Sequence, residues 1–181
     1  MLVFAVLHTG EIGLLLALGT VLTALLESLF PRLRAPETPQ GIVTLQLAWT
    51  PERARRILGA WAARGWLGRA RKSVYVDFPF IAAYSGTLAC LGLCAGRVAG
   101  WGGIMDDADA HDFGASVAVA MIAAGACDVA ENLALLGVLS GRYAPWTAVM
   151  SSFASTKLML LIVGAPLAVI VLVAGVLDRV F

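Results

Sequence analysis

The stretch from Phe113 to Leu139 constrains this chain more than any other. Phe113 to Cys127 is a run of apolar and small residues of the kind that crosses a bilayer as a helix. It then meets Asp128, Glu131 and Asn132 before turning apolar again through Leu139. Positions i, i+3 and i+4 share one helical face, so these three side chains form a single polar stripe. An ionised carboxylate at membrane depth is costly, so two of them demand partners or a purpose.

Composition agrees with a bilayer as solvent. Hydrophobic residues make up 60% of the 181 and charged residues 14%, against about 25% charged in soluble domains. The seven prolines and nineteen glycines suit membrane helices, which tolerate both. The fold class expected is all-α: an integral membrane four-helix transmembrane bundle in a single domain, 1–181. Its spans fall at about 2–30, 73–99, 113–139 and 147–177. The first span contains His8, Glu11 and Glu27 and ends at Pro31 and Pro36. It lacks a basic start and a small-residue cleavage site, so it reads as a span and not as a removed signal peptide.

The net charge of +1 conceals an asymmetry. Nine of the thirteen basic residues, Arg32, Arg34, Arg53, Arg55, Arg56, Arg64, Arg69, Arg71 and Lys72, lie in the connection 31–72. Short loops rich in Lys and Arg stay cytoplasmic, which puts both termini outside a cell (inner) membrane. Within this loop Thr50-Pro51-Glu52 is a helix start, with a hydroxyl cap, a first-position proline and an acid in the first turn. Ala54, Ile57, Leu58 and Trp61 then recur at helical spacing opposite Arg53, Arg56 and Arg64. That pattern predicts a cytoplasmic amphipathic helix between spans 1 and 2, lying on anionic lipid headgroups along 51–72.

Asp77, just ahead of Pro79, reads as a cap at the start of the second span. Gly92, Gly96 and Gly100 repeat every four residues and predict a close helix crossing, within one bundle or in a homo-oligomer. The turn 101–112 carries Asp106, Asp107, Asp109, His111 and Asp112 without a single Lys or Arg. Asp112 stands where a calcium loop needs Gly and Ala118 where it needs Glu, so no metal site is expected and Asp112 is the predicted cap. Cys90, Cys94 and Cys127 fall inside spans and read as buried packing residues.

The short turn 140–146 makes the last two spans an antiparallel hairpin. Counting outward from Tyr143 and Ala144 sets Glu131 level with Thr156 and Lys157, and Asn132 level with Ser155. With a rise of about 1.5 Å per residue, Asp128 lies about 4–5 Å deeper than Glu131. Lys157 is the one basic residue deep inside an expected apolar core, Arg97 lying at the end of its span, so it pairs with Glu131 or Asp128. The candidate cluster is Asp77, Asp128, Glu131, Asn132 and Lys157, with Tyr84, Ser152, Ser155 and Thr156 as hydrogen-bonding neighbours.

Excess acid at such a site has three outlets: proton uptake, a bound cation or a cationic ligand. The leading expectation is therefore binding or transport of a cation, a proton or a cationic amphiphile. One alternative is a membrane enzyme acting on a lipid or other amphiphile through Asp128 and Glu131, with Mg²⁺ as a possible aid. Another is a non-catalytic subunit of a larger membrane complex. No nucleophile motif, HExxH or phosphate loop occurs, and the cofactor is left open. Haem ligation is disfavoured because His8 and His111 are expected near the outer surface. Nucleic acid is not an expected partner, since the basic stretch lacks aromatic platforms.

Overall fold

A computed structural model describes residues 9–27 and 33–180. The expected start of the first span with His8, and its end at Phe30–Pro31 with Arg32, lie outside the described residues, as do the side chains of Glu11, Glu27 and Arg179. All regular structure among the described residues is helical: α1 Thr9–Glu27, α2 Ile42–Gln46, α3 Pro51–Ala63, α4 Leu67–Gly102, α5 Asp107–Leu139 and α6 Trp146–Val180.

The helices α4, α5 and α6 are each long and apolar enough to cross a membrane. In α1 the described apolar stretch, Leu14–Leu25, is shorter than the ~20 residues a span needs. The long helices also outrun the apolar runs that mark them. α4 begins at Leu67, so Arg69, Arg71 and Lys72 are helical and Asp77 lies well inside, where it caps nothing. α5 begins at Asp107, and its cap is Asp106 instead of Asp112, for Asp106 Oδ1 accepts the Asp109 N–H at 2.8 Å. Asp107 and Asp109 in its first turn complement the helix dipole.

By contacts the chain forms two compact units, Met1–Ala24 with Ala82–Gly125 and Leu158–Phe181, and Leu25–Ile81 with Ala126–Lys157. In the first, α4 and α5 cross closely. A Cβ added at Gly96 would strike the Ala110 carbonyl and the Gly114 Cα, and one added at Gly92 would meet the Val117 side chain at 2.7 Å. Small residues permit this approach of two backbones, so the glycine row is used inside one chain. Ala89, Ala95, Val117, Ala118, Met121 and Ala168 form the core of this unit. Cys90 and Cys94 are free thiols there, half-buried where full burial was expected, and Cys127 in the other unit is the same.

The core of the second unit is built around Trp61, Leu45, Val74, Leu135, Val138 and Met150. α3 supplies Ala54, Ile57, Leu58 and Trp61 to it, all buried. Its start is as the sequence predicts: Thr50 Oγ1 accepts the Arg53 N–H, with Pro51 in the first turn and Glu52 beside it. Where its apolar side goes is different. Trp61 is fully enclosed and donates its indole N–H to Thr38 Oγ1 at 3.2 Å. The apolar stripe is thus buried against protein.

Candidate functional site

The buried polar residues of the second unit converge on α5. Asp128, Glu131 and Asn132 are 4%, 0% and 1% exposed. Their i, i+3 and i+4 spacing turns them to one side of α5, and the two neighbouring long helices meet that side with polar groups of their own.

From α6, Lys157 reaches both carboxylates. Its Nζ donates to Asp128 Oδ1 at 2.7 Å and lies 2.6 Å from Glu131 Oε2. The second contact is an ion pair whose alignment falls short of a hydrogen bond. The side chain of Lys157 is 12% exposed, so the ammonium is largely cut off from water. From α4, Asp77 Oδ2 accepts the Asn132 amide N–H at 2.7 Å. All five candidate residues therefore lie in one unit, linked by contacts to adjacent positions of a single helix.

The accounting of charge and hydrogen bonds is incomplete on the acceptor side. Asp77, Asp128 and Glu131 bring three formal negative charges, and Lys157 brings one positive charge. Glu131 Oε1 and Asn132 Oδ1 are buried with no hydrogen-bond partner among the described residues. Buried acceptors of this kind are rare because each forgoes the water it had in the unfolded chain. The site can therefore take up a donor or a cation without displacing any bond already made by those two oxygens.

The supporting residues are arranged differently from the expectation. Ser152 and Thr156 are exposed, and the Thr156 hydroxyl donates to the Ser152 carbonyl on its own helix at 3.0 Å. Ser155 is half-buried, and Tyr84 belongs to the other unit. Counting depth chose the right level of α6 but ignored its face: residues one or two positions from Lys157 point elsewhere around the helix. The buried face instead runs through Thr147, Met150, Ser151 and Ala154. Ser151 is the residue the sequence reading missed. Its hydroxyl donates to the Gln46 carbonyl at 2.7 Å and accepts the Trp49 N–H at 3.0 Å, fastening the loop after α2 to α6. Trp49 has φ 59°, a left-handed conformation that few side chains adopt, and this bond helps to hold it. The signal available was the stripe itself, since Thr147, Ser151 and Ala154 follow the i, i+4, i+7 spacing of a buried face.

Basic residues around the site are also structural. Arg71 donates to the Leu139 carbonyl at 3.3 Å at the C-terminal end of α5, and the Arg55 guanidinium stacks 4.9 Å from the Tyr143 ring centroid. Among the described residues no group of three or more His, Cys, Asp or Glu side chains is arranged to hold a metal ion. The chain matches no family model, no curated protein and no solved structure.

Proposed function

We propose that the chain is a multi-pass protein of the cell (inner) membrane in which Asp77, Asp128, Glu131, Asn132 and Lys157 form an intramembrane site for a cation, a proton or a cationic amphiphile, bound or transported. In this reading α1 belongs to a fourth span and both termini lie outside. The loop 31–72, with nine of thirteen basic residues, is cytoplasmic.

One observation carries the reading: Asp128 and Glu131 share a single lysine while a third carboxylate, Asp77, is held by the Asn132 amide, and Glu131 keeps an oxygen with no donor among the described residues. A cluster meant only to fix helix register would be expected to satisfy its own groups, because an unmet buried acceptor is a net loss.

The test uses protein reconstituted into vesicles that enclose a pH-sensitive dye, with a proton or monovalent-cation gradient imposed. Intact protein is expected to give pH-dependent binding or flux, and Asp128→Asn is expected to abolish that dependence. An unchanged pH profile in the variant defeats the proposal.

A further inference from the structure

The arginines of α3 do not all have the same occupation. Arg55 stacks on Tyr143, and Glu52 lies within 3.8 Å of its guanidinium. Arg64 contacts Glu37 at 3.1 and 3.2 Å, and lies over the Trp66 ring. Arg53 and Arg56, in contrast, are exposed and their guanidinium groups have no partner among the described residues. They stand three positions apart, on the same side of α3, and line one depression of about 270 Å³ together with Ile57 and Glu37.

Glu37 does not neutralise them. Its carboxylate is already held by a backbone N–H and by Arg64, and these keep it below the usual carboxylate range. The depression thus presents two uncommitted guanidiniums beside Ile57, with the Glu37 carboxylate engaged by Arg64. Each guanidinium fork pairs two oxygens at once, and two neighbouring forks suit the several oxygens of a tetrahedral phosphate better than a spherical halide.

The position of α3 in the chain selects the source of the phosphate. Ile57, which lines the depression, shares one buried core with Val74, at the start of the apolar run of α4, so the depression lies close to the surface at which that span would enter the bilayer. We infer that Arg53 and Arg56 form a binding site for the phosphate of an anionic lipid headgroup. It rests on the membrane location but not on the buried site. α3 engages lipid through its charged side, while its apolar side remains buried against protein.

The experiment is native mass spectrometry of the full chain released from micelles doped with equal phosphatidylglycerol and phosphatidylcholine. The intact protein is expected to retain phosphatidylglycerol preferentially. Arg53→Ala/Arg56→Ala should weaken that retention about tenfold or more, while Arg69→Ala/Lys72→Ala, which removes two basic residues outside the depression, should change it by less than about threefold. Arg53→Lys/Arg56→Lys, which keeps the charge and loses the fork, should fall between. Asp128→Asn should leave retention intact, which separates this site from the buried one. Equal losses from both double alanine variants would mean diffuse attraction and overturn the site. So would the absence of any preference for the anionic lipid. Millimolar inorganic phosphate displacing the lipid completely would overturn the lipid assignment.

Discussion

Replacing Lys157 with Met is the sharpest perturbation the structure offers, for it keeps most of the stem and removes the ammonium. Coulomb's law at an effective dielectric of ~20 puts the gross attraction at about 6 kcal/mol for each contact at 2.6–2.7 Å. The cost of taking these groups out of water offsets much of that sum in the intact protein. Once the ammonium is gone the offset has no counterpart, and Asp128 and Glu131 are stranded together. Losing one partner of a buried ion pair costs about 3–5 kcal/mol, and that is the expected fall in unfolding free energy, read by reversible denaturant titration in micelles. The combined variant Lys157→Met/Asp128→Asn/Glu131→Gln should recover a large part of the loss, because nothing charged is left behind. A single variant within about 0.5 kcal/mol of the parent would refute the reasoning, since that is what an unremarkable surface substitution does.

Two further outcomes follow from packing. Gly96→Ala should destabilise by about 1–3 kcal/mol, because its Cβ would press on the backbone at Ala110 and Gly114, whereas Gly86→Ala, facing open space on the same helix, should be neutral or mildly stabilising. Melting of the two variants side by side decides the matter, and equal effects would reject the close crossing. Trp61→Ala should cost about 3–5 kcal/mol through the cavity it leaves. In a variant that retains Trp61 alone, brominated lipid tails should leave its fluorescence unquenched; strong quenching would mean that α3 lies in the bilayer after all.

The class of the molecule and the level of its polar groups were legible because both depend on properties that a linear chain displays directly. Apolar length identifies α4, α5 and α6 as candidate spans, and i, i+3, i+4 spacing gathers Asp128, Glu131 and Asn132. Counting from a short turn then brings Lys157 to the same depth. Rotation about a helix axis was harder to read. Ser152, Ser155 and Thr156 have the right depth and the wrong bearing, while Ser151 has the right bearing and escaped notice. The destination of the α3 stripe was illegible for a different reason: Trp61 and Ile57 are equally apolar whether they face lipid or protein, and only packing decides. Helix ends were misjudged for a third. Hydropathy marks where a span stops, but hydrogen bonds carry α4 on through Arg69, Arg71 and Lys72 into the polar loop.

α5 grips a neighbour from each of two consecutive residues, Glu131 toward Lys157 of α6 and Asn132 toward Asp77 of α4. A swivel of α5 by a single residue step, about 100°, would disengage both at once. The three helices are consequently geared: any conformational stroke that frees one tooth of this wheel must either slip the other or carry its holder along.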